Sequence, residues 1–154
     1  MNALLFMHLA GAVLLIGNAI TAAFWKIRSD LERDPRIARR TAKNIMAADY
    51  FFTLPAIVLI LVSGHLLAAN AGYTVFAWNW LGLSYGLFVL SGVIWVIVLL
   101  PVQLGMIRQA EASAAQGSFT KEYERSSRAW NAWGTIATLL PIAAMVLMVW
   151  KPDL

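Results

Sequence analysis

Cysteine is absent from this chain of 154 residues. Its absence excludes disulfide bonds, thiolate metal sites, iron–sulfur clusters and covalent attachment of c-type haem. Charged residues are scarce, at 13% of the chain, whereas soluble domains carry about 25%. The sequence also contains no hydrolase triad, no phosphate-binding glycine loop and no paired carboxylates within an apolar stretch. Catalysis by protein side chains alone therefore has little support.

The few charges leave four long stretches with none. Each is long enough to cross a hydrocarbon core of about 30 Å at about 1.5 Å per residue. Backbone groups in lipid must satisfy their own hydrogen bonds, so these stretches are predicted to be helices. The sequence thus predicts an all-α, integral membrane, antiparallel four-helix bundle that forms a single domain over residues 1–154. The predicted spans are residues 4–25, 50–69, 80–107 and 129–150.

The distribution of Lys and Arg predicts the topology. Eleven of these twelve residues lie in segments 26–49 and 108–128, whereas segment 70–79 carries no charge. By the positive-inside rule, the two basic segments face the cytoplasm and both termini face outward, in a bacterial-type inner membrane. The net charge of +4 is therefore explained by topology and does not indicate nucleic acid binding.

The segments that flank the spans carry further predictions. The first apolar run has no basic residues before it and is longer than the apolar core of a signal peptide, so we expect it to be retained as a helix. Residues 35–46 are predicted to form a short interfacial helix. Residues 111–128 are polar and are predicted to form a loop with some helix.

Polar side chains within membrane spans are costly, which makes the few present here candidates for function. His8 and His65 lie about four residues inside the outer ends of the first two helices, so each is roughly 6 Å inside the boundary. Imidazole is the usual protein ligand of b-type haem iron, so both histidines are predicted cofactor and metal ligands. Asn18 shares a helix face with His8 and is predicted to contact the same cofactor. Hydrogen bonds between helices are the alternative for all three.

Other residues of the spans have structural interpretations. Gly82 and Gly86 form a GxxxG pattern that is typical of close helix packing. Asp49 is predicted to cap the start of the second helix, with proton transfer as the alternative. Pro55 is predicted to lie one turn inside that start, where a proline is tolerated. Pro101 is predicted to kink the third helix.

Several motifs together resemble a group of small bacterial membrane proteins. The group comprises the HemJ-type protoporphyrinogen oxidases, the CopD copper-resistance membrane domain, and a neighbouring family of predicted integral membrane proteins of unknown function. The resemblance covers nearly the whole chain and is greatest to the family of unknown function. The motifs are the run from His8 to Gly17, Phe52-Thr53-Leu54-Pro55-Ala56, Trp80-Leu81, Arg128-Ala129-Trp130-Asn131 followed by Thr135, and Lys151-Pro152.

The resemblance implies a histidine-ligated b-type haem near the outer part of the bundle, with His8 at the matching position. His65 is not part of the shared pattern. The chain also departs from the HemJ-type pattern, because Gly82 and Ser84 stand where those proteins have His and Lys, and Ala132 stands where they have Glu. These side chains cannot transfer protons or pair with propionates at neutral pH. We therefore predict that the protein is not an efficient protoporphyrinogen oxidase.

The leading hypothesis from the sequence is a haem b-binding membrane protein with a redox or haem-related role, embedded in the lipid bilayer. A homo-oligomer and a membrane redox partner are both compatible with this hypothesis. The first alternative is a copper- or metal-handling membrane protein that uses His8, His65 and Met7 as ligands. The second is a non-catalytic accessory subunit of a membrane complex.

Overall fold

A computed structural model describes residues 1–153, and all regular secondary structure in this part of the chain is helical. Residues 1–153 contain four continuous helices that are long and apolar enough to cross a membrane. The predicted all-α bundle is therefore confirmed. The last residue of the predicted domain, Leu154, lies outside the described residues.

Two of the four spanning helices are interrupted by π-helical segments. The first span is α1 (Asn2–Glu32) and the last is α6 (Lys121–Trp150), and both are α-helical throughout. The second span consists of α2 (Pro35–Ala48), a first π segment (Asp49–Thr53) and α3 (Leu54–Asn70). The third consists of α4 (Trp80–Ile94), a second π segment (Trp95–Leu99) and α5 (Leu100–Gln116).

These helices extend beyond the predicted spans because capping residues, and not the apolar boundaries, end them. Asp34 accepts a hydrogen bond from the backbone N–H of Arg36, and Thr120 accepts one from that of Tyr123. Such side chains satisfy backbone donors that the first helical turn leaves unpaired. The predicted interfacial helix is therefore the first part of a spanning helix. The predicted loop over residues 111–128 is helical except for a short turn that contains Gly117, at φ 74°.

The helix that contains the second predicted span starts before that span, at Pro35. The predictions for two residues are therefore wrong, because Asp49 does not cap a helix N-terminus and Pro55 lies deep inside the helix. Pro55 and Pro101 each come soon after a π segment. Proline cannot donate a backbone hydrogen bond, and a π segment is a place where the helical hydrogen-bond pattern shifts. Each π segment thus lies next to the proline inside its helix, Pro55 in the second span and Pro101 in the third.

The π segments divide the bundle into two halves that pack differently. We call the half formed by α2, α5 and the two adjoining turns the basic end, and the half that carries both chain termini the terminal end. At the basic end, α2 packs directly against α5. Beyond the π segments, α3 packs on α1 and α4 packs on α6, and within residues 1–153 no Cα atom of α3 lies within 8 Å of a Cα atom of α4. The two interrupted helices thus diverge toward the terminal end.

Small residues set the helix contacts at the terminal end, but not those of the predicted GxxxG motif. A Cβ on Gly82 would overlap the carbonyl oxygen of Ala77 in the preceding turn, and a Cβ on Gly86 would meet no described atom within 4 Å. The prediction of helix packing through these glycines is therefore wrong. Two serines make the contacts instead. Ser91 donates a hydrogen bond to the carbonyl oxygen of Ala137 in α6, and Ser84, which donates to Trp80 in its own helix, lies 3.3 Å from the carbonyl oxygen of Ala144.

We expect Gly11→Ala to lower the free energy of unfolding by about 1–3 kcal/mol, because overpacking strains a close contact. A Cβ on Gly11 would lie 2.9 Å from Cγ1 of Ile60 and 3.1 Å from the carbonyl oxygen of Ala56. Gly17→Ala is the matched control on α1, where a Cβ meets no described atom within 4 Å. Unfolding of the two variants in detergent measures the difference. Equal stabilities would contradict the close approach of α1 and α3.

Candidate functional site

The side chain of Asp49 is the centre of a polar cluster inside the bundle. Its Oδ1 accepts hydrogen bonds from Asn18 Nδ2 at 3.1 Å and from Thr53 Oγ1 at 3.0 Å. Its Oδ2 accepts one from Gln103 Nε2 at 3.3 Å, and Trp130 Nε1 donates to Gln103 Oε1 at 3.2 Å. We call these five residues the carboxylate cluster. They come from all four spanning helices, so the cluster connects the whole bundle.

The first π segment presents both Asp49 and Thr53 to this cluster. Asn18 Nδ2 also donates to Thr53 Oγ1 at 2.9 Å, so α1 is held at two points of the segment. Asp49 is 9% exposed and Gln103 is 2% exposed. A buried carboxylate is costly unless it is paired or hydrogen-bonded, and here three neutral donors stabilise it. None of the ion pairs among residues 1–153 involves Asp49.

A large cleft adjoins the carboxylate cluster. Its volume is about 870 Å³, and Asp49, Thr53, Gln103 and Trp130 all line it. The remaining walls are largely apolar and come from α1, α2, α3, α4, α6 and the second π segment. The lining includes side chains that are exposed on the bundle surface, so the cleft opens sideways between the helices. Three of these exposed residues are Ile20, Val96 and Ile97.

His8 contacts α3 through its ring. Its Nδ1 lies 3.2 Å from Ser63 Oγ, and Ser63 donates its own proton to the carbonyl oxygen of Leu59. A hydroxyl has one proton, so Ser63 must accept a hydrogen bond from His8 Nδ1–H. The ring also lies over Gly64, where a Cβ would be 3.0 Å from Cε1 of His8. The Nδ1 atom of His8 therefore carries a proton.

His65 has different neighbours. Its Nδ1 lies 3.2 Å from the carbonyl oxygen of Leu61, which can only accept, so this nitrogen is protonated as well. The ring packs edge to face with Tyr85 of α4, with centroids 5.5 Å apart. In the neutral form, each histidine thus keeps its lone pair on Nε2, the arrangement in which a ring can ligate a metal.

Asn18 does not lie beside His8 as predicted. Asn18 is about 15 Å along α1 from His8 at the helical rise and belongs to the carboxylate cluster. Neither His8 nor His65 is among the described residues that line the cleft. Residues 1–153 contain no group of three or more His, Asp or Glu side chains that could hold a metal ion. Ligation by His8 and His65 stays a prediction.

A second polar cluster, at the basic end, joins α1 to α6. Lys26 is 1% exposed, and its Nζ lies 2.6 Å from both carboxylate oxygens of Asp30 and 2.7 Å from Ser127 Oγ. The Tyr123 hydroxyl lies 3.5 Å from Asp30 Oδ1. Sequence reasoning treated Lys26 only as a topological charge. The spacing of Lys26 and Asp30, one helical turn apart, was the signal available for this pair.

Sequence reasoning also missed most of the carboxylate cluster. Gln103 lies in a charge-free run, and a polar side chain there is itself a signal of function or of packing between helices. The sequence marked Trp130 as part of a motif shared with the resembling proteins, and it predicted Asp49 to be a cap. Their hydrogen bonds depend on how the helices are rotated against each other, which a single sequence does not reveal.

The fold defines a multi-pass membrane protein with a cleft between its helices. Residues 2–152 match the model of the family described as predicted integral membrane protein (DUF2269), and the chain belongs to that family. Its surface therefore contacts the lipid bilayer. No curated protein and no solved structure matches the chain.

We expect Gln103→Met to lower the free energy of unfolding by about 1–2 kcal/mol. The substitution leaves the Trp130 indole N–H without its acceptor, and it removes one of the hydrogen-bond donors to Asp49. Gln109→Met is the matched control on the same helix, since Gln109 Oε1 is buried without a partner among the described residues. Removing an unpaired polar atom should leave stability unchanged or raise it. Denaturant unfolding in detergent compares the two variants. A larger loss in Gln109→Met would contradict the hydrogen-bond assignments.

Proposed function

We propose that this protein binds a small, largely apolar molecule within the membrane and holds the polar end of that molecule at the carboxylate cluster. The observation that carries the proposal is the position of the cluster in the wall of a cleft of about 870 Å³. Ligand sites are typically cavities of about 300–1,000 Å³ with apolar walls and a few polar groups, and they occur between the helices of bundles.

Lateral access supports a ligand that comes from the lipid phase. The exposed lining residues Ile20, Val96 and Ile97 are all apolar and belong to spanning helices. A molecule dissolved in the bilayer can therefore enter between the helices without crossing a polar surface. Asp49 is the one acid–base group among the described lining residues, so the site offers no pair of such groups, and its apolar walls favour binding of a molecule over chemistry on it.

We expect Gly92→Phe to reduce ligand binding, because this side chain would occupy the cleft. Gly92 lines the cleft, and a Cβ there meets no described atom within 4 Å. Gly86→Phe is the matched control on α4. A Cβ on Gly86 also meets no described atom within 4 Å, but Gly86 does not line the cleft. The probe is a long-chain alcohol that carries a photoreactive diazirine, and the cross-linked peptides are identified by mass spectrometry. Equal labelling of cleft peptides in both variants would contradict the proposed site.

We also propose that the basic end faces the cytoplasm of a bacterial-type inner membrane and that both termini face outward. The support is the concentration of Lys and Arg at that end. Within residues 1–153, only Arg39 and Lys43 of the α2 cations have an acidic partner, and for both of them this partner is Glu111. Arg36 and Arg40 are exposed and add to the positive charge of this face.

Labelling of single introduced cysteines tests this orientation. The natural chain has no cysteine, so no other residue of the protein reacts with the maleimide. Thr74→Cys, in the turn before α4, should react with a membrane-impermeant maleimide on intact cells, because the proposed topology places this turn outside. Arg40→Cys on α2 should react only after the cells are opened. Both positions are exposed on the protein. The reverse pattern of labelling would show that the orientation is inverted.

Haem b ligated by His8 is a second candidate, with the redox or haem-related role that the resemblance to HemJ-type and CopD proteins implies. It is favoured by the protonated Nδ1 of His8, which leaves Nε2 for a metal. When bound, haem would supply electron transfer or redox chemistry. The cleft itself does not fit haem, because its described lining offers neither a histidine for the iron nor a cation for the propionates. A haem on His8 would therefore lie outside the cleft.

The absorption spectrum of the purified protein tests this second candidate. If His8 ligates haem, the protein should show a Soret band that His8→Ala largely removes, because the iron loses its ligand. His65→Ala is the control, because it removes an imidazole that has different neighbours. If this variant changes the haem to a high-spin spectrum, His65 is the second ligand of the iron. Copper without a Soret band would favour metal handling. A Soret band of the same height and shape in both variants would contradict ligation by either histidine.

A further inference from the structure

We infer that the molecule bound in the cleft carries a protonated amine and that Asp49 is the residue that recognises it. This inference rests on the proposed function and specifies the class of ligand. Asp49 is the one charged side chain among the described residues that line the cleft. An anionic ligand would face an uncompensated carboxylate, whereas a cation would neutralise it. The charge of the lining therefore selects a lipophilic cation.

The carboxylate has no cationic partner of its own. Asp49 is 9% exposed, and within residues 1–153 no Lys, Arg or His nitrogen lies within 4.0 Å of its oxygens. Its three hydrogen-bond donors are the neutral groups of Asn18, Thr53 and Gln103. Buried carboxylates are usually paired with a cation, because a cation compensates the lost hydration of the charge more fully than neutral donors do. A bound cation would complete the site.

The two oxygens of Asp49 differ in their capacity for a further donor. Oδ1 accepts from both Asn18 and Thr53, whereas Oδ2 accepts only the 3.3 Å hydrogen bond from Gln103. An ionised carboxylate has about four acceptor positions, so Oδ2 can accept from an additional N–H group. A hydrogen bond between an ammonium and a carboxylate is roughly twice as strong as one between neutral groups. Oδ2 is therefore the atom that would bind the amine.

The depth of Asp49 fits an amphipathic amine. Asp49 directly precedes the charge-free run from Tyr50 to Ala69, so it lies at the level of the membrane boundary. The apolar walls continue from there toward the terminal end, for example at Ile57 of α3 and Val93 of α4. An amine whose charged group lies at the boundary and whose hydrocarbon body extends into the bilayer would match this arrangement. The ligand would thus keep its orientation when it passes from lipid into the cleft.

Three photoreactive probes test the inference. They have the same diazirine-bearing chain and differ only in their terminal group, which is a primary amine, an alcohol or a carboxylic acid. The full-length protein in lipid nanodiscs at pH 7 is labelled with each probe, and labelled cleft peptides are quantified by mass spectrometry. We expect labelling by the amine to saturate at about a tenfold lower concentration than labelling by the alcohol, because a charge-assisted hydrogen bond is stronger than the neutral one that an alcohol can form. The acid should label weakest.

Asp49→Asn should remove the preference for the amine, because it keeps the shape of the side chain and removes the charge. Glu111→Gln is the matched control, since it removes one negative charge at the basic end outside the cleft. The inference is overturned if the amine and the alcohol label cleft peptides of the natural protein at the same concentration. It is also overturned if Asp49→Asn keeps the preference for the amine. In both cases the proposed function stands. If no probe labels cleft peptides, the proposed function itself is overturned. The comparison of probes on the natural protein remains decisive even if Asp49→Asn does not fold.

Discussion

The hydrogen-bonded carboxylate of Asp49 is the interaction on which the arrangement of the helices depends. Helices in lipid gain little hydrophobic free energy from meeting each other, so close packing and polar contacts decide how they associate. Here a single carboxylate receives donors from α1 and α5, and Gln103 extends the contact to Trp130 of α6. One buried polar group thus fixes the position of all four spanning helices at the level where the basic end meets the cleft.

The cleft follows from the two π segments. α2 and α5 pack together up to these segments, and their continuations α3 and α4 then pack on α1 and α6. Both segments come shortly before a proline, which cannot take part in the regular backbone hydrogen-bond pattern. The same local feature therefore opens the terminal half of the bundle and presents Asp49 to the space that opens. Fold and candidate site have one physical origin.

The sequence could predict the number of apolar helices long enough to span a membrane, because charge-free runs report directly on what a hydrocarbon core accepts. It could not predict how the helices are rotated, and that is why Asn18 was assigned to His8 and not to Asp49. The π segments were also hidden, since Asp49 to Thr53 reads as an ordinary helix start next to an apolar run. Asn18 and Gln103 are both polar residues in charge-free runs, but only Asn18 was identified as a candidate for function. The order of motifs, in contrast, was enough to predict membership of the family, which the match over residues 2–152 confirms.

The most direct test of the central role of Asp49 is the energetic coupling between Asn18 and Gln103, which bind opposite oxygens of its carboxylate. Stabilities of Asn18→Leu, Gln103→Leu and the double variant in detergent give this coupling, and the same cycle is repeated in an Asp49→Leu background. We expect a coupling of about 0.5–1 kcal/mol that disappears in that background, because residues that share a partner are not additive. Additive effects to within about 0.3 kcal/mol with Asp49 present would contradict the claim that this carboxylate joins the helices.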